Sequence, residues 1–229
     1  EGTLIQRAKN KMPQMESTKQ LKELIREVYQ PGMRILDVGC NVGHYLRGML
    51  DIDPNVKYTG VDAYEFYINQ AKEVYRDLPN ANFMVKDIFQ PLFPNDQYDI
   101  VYCCNVILHL PSFQKPVENL IRSAKKACFI RTLIAETTTV VMKAVTDEFD
   151  EKNQPKEYVY QNTYKQSVFG KHIESLGWKA EFIEDKFDAK VLQDEFTKLK
   201  QGQGTEVLDG KQVSGNALFN WQFVKATPK

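Results

Sequence analysis

Between residues 33 and 134 the chain alternates short apolar runs with amphipathic stretches. The runs predict strands near 34–38, 57–61, 82–85, 98–104 and 127–133. Apolar residues at helical spacing predict helices near 43–51, 64–77 and 114–125 between them. Upstream, Leu21, Leu24, Ile25 and Val28 recur at helical spacing and stop at Gln30-Pro31-Gly32. That pattern predicts an amphipathic helix within 4–30 and an N-terminal helical cap over 1–31. Pro54, Pro79, Pro91, Pro94 and Pro111 all fall between the predicted strands. Strand and helix in strict alternation mark a parallel α/β sheet.

After the fifth strand the rhythm breaks. Residues 135–165, β-branched and polar with Asp147, Glu148, Asp150 and Glu151, read as an insertion that forms part of an acceptor pocket. A helix over 165–176 ends at Gly177, and 179–187 alternates as a half-exposed strand. Residues 189–215 read as a connection holding Gly202, Gly204, Gly210 and Gly215, and 216–226 as a last, aromatic strand. No clear crossover helix separates these last two strands, which predicts an antiparallel end to the sheet. Residues 32–229 thus form a single domain. An aromatic last strand at a sheet edge can pair with a second copy, giving a homodimer.

The chain has 229 residues with Lys+Arg 30 and Asp+Glu 30, a formal charge of zero. That balance supplies no basic surplus for nucleic acid. The four cysteines, Cys40, Cys103, Cys104 and Cys128, lie in apolar stretches without C-x-x-C spacing, as expected for reduced thiols in a cytoplasmic protein. No apolar run reaches the roughly 18 residues a membrane span needs, so no membrane partner is expected, and the cysteines provide no metal site.

Arg34-Ile-Leu-Asp37-Val-Gly39-Cys-Asn41-Val-Gly43-His44 carries the chemistry. A buried strand runs into a glycine turn and a helix beginning near His44, whose N-terminal N–H groups would face a ligand. Gly60-Val61-Asp62 ends the next strand in an acid placed to accept two ribose hydroxyls. His44 stands where a dinucleotide site needs a small residue, and no Walker-type lysine loop exists. Asp37 ahead of the glycines suits a ligand bearing an ammonium or sulfonium better than a pyrophosphate.

With these residues the chain resembles the class I S-adenosylmethionine-dependent methyltransferases, Asn41 standing at the middle of three alternating glycines. Asparagine tolerates the left-handed backbone such a turn demands. The resemblance implies a Rossmann-like α/β fold: a seven-stranded, mostly parallel sheet with an antiparallel last strand and helices on both faces. It implies S-adenosylmethionine as cofactor and S-adenosylhomocysteine as product, held by Asp37, Gly39, Cys40, Asn41, Gly43 and Asp62. Ala63 would flank the adenine, Asp87 would accept from its amino group, and Ile88 would offer a backbone N–H. Asn105 would lie beneath the methyl group.

Four residues beyond Asn105, His109 is the candidate general base, able to take a proton from an acceptor hydroxyl. Arg131 and Tyr164 are the candidate acceptor contacts. The implied reaction is methyl transfer to a small-molecule or saccharide acceptor, O-methylation in particular. An RNA or protein methyltransferase and a non-catalytic nucleoside-binding module are the alternatives. The Asn-Pro-Pro-Tyr sequence of many base-methylating enzymes is replaced by Cys104-Asn-Val-Ile107.

Overall fold

The computed structural model describes residues 2–95, 97–199, 205–214 and 217–229. Gly202, Gly204 and Gly215 of the expected connection, and Asn216 of the expected last strand, lie outside the described residues. The central strands are β1 (Arg34–Val38), β2 (Lys57–Asp62), β3 (Ala81–Val85), β4 (Tyr98–Cys104), β5 (Ala124–Ala135), β6 (Trp178–Glu184) and β7 (Trp221–Pro228). They stand in the order β3-β2-β1-β4-β5-β7-β6. All are parallel except β7, which runs antiparallel to both β5 and β6. Tyr164–Lys165 adds a two-residue parallel strand to the far end of β5.

Helices cover both faces, which is why β1 is buried along four of its five residues. Ile35, Tyr58, Tyr102, Phe129 and Phe223 point to one face. There they meet α2 (Glu16–Arg26), α3 (Leu46–Leu50) and α4 (Glu65–Val74). Leu36, Val38, Val101, Ile130 and Val224 point to the other, against α5 (Gln114–Ser123) and α6 (Gln166–Ser175). The period-two alternation of side chains therefore builds two cores from each strand.

Four expectations need correction. The N-terminal segment is two helices, α1 (Thr3–Ala8) and α2, because Asn10 turns left-handed at φ 57° and Pro13 follows. Helix α3 begins at Leu46, not near His44, and has five residues, because Gly43 at φ 74° keeps the chain turning. The segment from 189 onward carries structure: helix α7 (Ala189–Leu199), then a hairpin of Thr205–Leu208 and Lys211–Ser214 with Ala217–Phe219 as its third strand. Asp209 and Gly210, both at positive φ, close that hairpin, and an Asp-Gly pair is a turn signal readable in the sequence. Finally, the aromatic last strand divides at Asn220, and its long part, β7, lies inside the sheet and not at an edge. The geometric premise for pairing a second copy through it is absent.

The 135–165 insertion folds out as a hairpin of Met142–Ala144 and Tyr158–Tyr160, largely exposed. It and the 205–219 hairpin leave the sheet near the C-terminal end of β5, and both border one cleft.

Candidate functional site

In an open parallel sheet, ligands bind beyond the C-terminal strand ends. Asp37 is next to last in β1, Asp62 ends β2, Asp87 lies two residues beyond β3, and Asn105 follows β4. Because β3, β2, β1 and β4 are neighbours, these four fall along one rim.

The turn after β1 is left-handed at each of its three special positions: Gly39 (φ 77°), Asn41 (φ 51°) and Gly43 (φ 74°). Gly39 is required for a second reason, since a Cβ there would lie 2.2 Å from the Val106 Cγ2. Asn41 does what glycine could not, for its Oδ1 accepts from the Val42 N–H at 2.8 Å. The Asn41 N–H donates to Asp62 Oδ2 at 2.9 Å, and the Tyr64 N–H donates to Asp62 Oδ1 at 3.0 Å. Asp62 thus ties the turn to the end of β2. A carboxylate has about four acceptor positions, so two remain for ribose hydroxyls.

The turn's own N–H groups are satisfied within the protein: Gly39 and Cys40 donate to Val61 O, and Gly43 donates to Cys40 O. Helix α3, which follows the turn, is five residues long with Tyr45 as its N-cap. Cys40 is buried, and burial pushes its thiol well up, so it contributes only backbone. His44 is buried too; burial pushes its imidazole down to about 3, which keeps the ring neutral.

Asp37 is 1% exposed and accepts from the Tyr58 hydroxyl at 2.6 Å. Burial pushes its carboxyl up to about 7; the Tyr58 hydrogen bond opposes this and the nearby Asp62 charge adds to it. Tyr102, its neighbour in register on β4, sets its buried hydroxyl beside that carboxyl and, like Tyr58, opposes the rise. A buried carboxyl next to this turn fits a ligand ending in an ammonium group, whose charge would favour its ionised form. Ala63 is exposed, and Asp87 is exposed with Oδ1 accepting from the Phe89 N–H at 2.9 Å. Ile88 is buried, its carbonyl taken by Asn119 at 2.7 Å. Taken together, the rim suits a nucleoside with a cationic tail.

Asn105 also sits left-handed, at φ 62°. Its Oδ1 accepts from Arg131 Nη1 at 2.5 Å, and its N–H donates to the Arg131 carbonyl at 3.0 Å. The rest of that guanidinium forms a two-pronged pair with Asp185, both contacts 2.7 Å, and lies 4.1 Å from the Trp221 ring centroid. Arg131 is 5% exposed. It was expected at the acceptor; the structure puts it behind, holding Asn105. Tyr164 is likewise buried, donating to Ile107 O at 2.9 Å and packing against Phe113 and Phe169. It props the turn that carries His109. That imidazole is exposed, and its Nδ1 donates to the Tyr160 carbonyl at 2.7 Å, which leaves Nε2 outside that bond.

Asp185 was missed, although an acid just past a strand end repeats the pattern of Asp62. The sequence pattern marks Trp221 only as part of an aromatic strand. Among the described residues no His, Cys, Asp and Glu cluster is placed to hold a metal, and no helix is long and apolar enough to cross a membrane.

Comparison with known proteins agrees with this geometry. A family model described as a methyltransferase domain matches residues 29–204. Sterol 24-C-methyltransferase of Yarrowia lipolytica is 26% identical over 168 residues, covering 68% of this chain and 42% of that protein. Phosphoethanolamine N-methyltransferase of Triticum aestivum is 24% identical over 214 residues, covering 90% of this chain and 40% of that protein. The chain therefore spans less than half the length of these relatives. Magnesium protoporphyrin IX methyltransferase from Synechocystis PCC 6803, solved with bound S-adenosylmethionine, superposes with TM-score 0.57 at 15% identity, covering 93% of this chain and 79% of that one. The cyclase SpnF superposes with TM-score 0.64 at 14% identity, covering 92% and 81%. At such identities the likeness establishes the fold alone.

Proposed function

Because the chain belongs to the methyltransferase-domain family, of the class I S-adenosylmethionine-dependent kind, we propose that it methylates a hydroxyl of a small-molecule or saccharide acceptor. The observation that carries the cofactor site is the convergence of Asp37, Asp62, Asp87 and Asn105 on one rim, with Asp62 closing the left-handed turn.

When bound, S-adenosylmethionine supplies an electrophilic methyl on a good leaving group, so the protein's work is mainly alignment and exclusion of water. Asp62 accepts the ribose hydroxyls. Gly39, Cys40, Asn41 and Gly43 present backbone. Asp37 answers the ammonium end of the ligand, while Ala63, Asp87 and Ile88 border the adenine. Asn105, fixed by Arg131, shapes the floor below the reacting atoms. His109, oriented by the Tyr160 carbonyl, takes the acceptor proton at Nε2. Arg131 and Tyr164 serve as posts that hold Asn105 and the 107–109 turn.

Calorimetric titration with S-adenosylmethionine tests the cofactor site. Binding that Asp62→Ala weakens supports it, and absence of binding by the wild-type chain sinks it. Acceptor hydroxyl methylation is tested by the position of the methyl in the product, where a methylated nitrogen or carbon would overturn O-methylation.

A further inference from the structure

A cleft of about 990 Å3 opens between the 135–165 insertion and the 210–222 segment, the size range of a small-molecule site. Its lining includes Leu133 near the end of β5, Asp185, and Trp221 at the start of β7. Trp221 stacks on the Arg131 guanidinium, which bonds Asn105. The cleft is thus one side chain away from the reacting rim.

Its lining is mixed, with Val141, Met142, Phe187 and Leu218 beside its polar groups. Lys143 and Lys211 balance Glu136 and Glu184 in the lining, and the charge of Asp185 is met by Arg131. No net charge remains to select an anion or a cation. Gln161, Gln212 and Gln222 also line it, and their side-chain amides make no hydrogen bond among the described residues. Phe219 meets Trp221 edge-on, centroids 5.7 Å apart, and both line the cleft as an aromatic surface.

Free amides offer both donors and acceptors, the complement of hydroxyl groups, whereas a purely apolar occupant would desolvate them without return. An aromatic surface beside them receives the apolar face of a ring. A phosphorylated amine would need uncancelled charge that the lining does not hold. Resting on the methyltransferase reading above, we infer that this cleft seats the body of the acceptor, its reacting hydroxyl reaching past the lining to His109 at the rim, and that the acceptor is a neutral, polyhydroxylated ring compound, a glycoside in chemical class. Gln161 approaches it from the insertion and Gln222 from β7. Asp185, through Arg131, ties the cleft's lining to Asn105.

The test is calorimetry on the full chain saturated with S-adenosylhomocysteine. The probes are p-nitrophenyl gluco-, galacto-, manno-, xylo- and rhamnopyranosides, with cholesterol hemisuccinate and phosphoethanolamine as the counter-chemistries. At least one glycoside should bind, and Gln161→Ala and Gln222→Ala should each weaken it about fivefold or more. Neither variant should move S-adenosylhomocysteine affinity by more than about twofold. Protein that binds S-adenosylhomocysteine but no glycoside overturns the inference, as does preference for the sterol or the phosphoamine. Glycoside binding untouched by both variants overturns the cleft as its place. Failure to bind S-adenosylhomocysteine would instead remove the cofactor reading, so the two failures are told apart.

Discussion

Arg131 and Asp185 form a two-pronged ion pair at 2.7 Å on both prongs, with side chains 6% and 4% exposed. The partners sit on β5 and just past β6, with β7 between them. Arg131 then spends its remaining prong on Asn105. The pair bridges strands that backbone hydrogen bonding does not join directly.

Removing one partner strands the other's charge in a dry place. Asp185→Ala should therefore cost roughly 3–5 kcal/mol of folding stability, measured by urea unfolding. Asp185→Asn keeps one acceptor for Arg131 and should cost less. If Asp185→Ala lowers stability by under about 1 kcal/mol, the pair is solvated in solution and does not position Asn105.

Asp62→Ala should weaken S-adenosylmethionine by about 1–3 kcal/mol, roughly 5–150-fold. It also frees the Asn41 and Tyr64 N–H groups, so part of the loss is loosening of the turn. Titration calorimetry reads the affinity, and an unchanged Kd would remove Asp62 from the site. The fold should persist, because the side chain is only half-buried at a strand end.

Gly39→Ala should impair both folding and binding, since its Cβ would collide with Val106 Cγ2 while φ stays at 77°. Val106→Ala in the same chain removes the collision and leaves the backbone strain. Partial recovery of thermal stability in the double variant is expected. No recovery would assign the whole defect to backbone conformation.

Asp37 should make stability fall as pH rises. Its carboxyl ionises near 7 when folded against 3.8 ordinarily, so between about pH 4 and 7 the folded chain holds a proton the unfolded chain has released. The stabilisation is complete below about pH 4 and lost through pH 7, on the order of a few kcal/mol in all. Asp37→Asn should flatten that slope and stabilise the protein at pH 8, while weakening the cofactor, whose ammonium would have favoured the ionised form. An unchanged slope in Asp37→Asn would place the titration elsewhere.

His109→Ala should leave S-adenosylmethionine affinity nearly intact and lower turnover about 10²–10⁴-fold. His109→Asn can still donate to Tyr160 O but offers no basic nitrogen. Turnover restored by Asn would make the residue a tie to the insertion and not a base.

Much of this fold was legible because strand burial on two faces writes a simple signature. Tyr98–Cys104 and Arg34–Val38 were bounded to the residue, and the acids at strand ends marked the rim. Asn41 was readable for a physical reason, its tolerance of positive φ, and φ 51° is what the turn adopts. The acceptor side was not legible. Arg131 looks like a ligand contact in sequence; only the register Cys104↔Arg131, with β7 placed alongside, shows that its charge is consumed by Asp185. Tyr164 becomes a prop only because the insertion returns under Ile107. Such assignments depend on contacts far apart in the chain, which no local pattern encodes.

Strand β5 overshoots its neighbour β4, and its last residues are gripped from two directions. Ile134 exchanges hydrogen bonds with Asn220 through the N–H at 3.0 Å and through the carbonyl at 2.7 Å, while Ile134 and Ala135 pair with Tyr164 and Lys165. Both walls of the cleft are thereby moored to one overhanging strand tip. In solvent exchange, the Ile134 amide should retain its proton as long as mid-sheet amides do, despite lying at the rim. Each wall can then flex about that mooring while the spacing between their roots is kept.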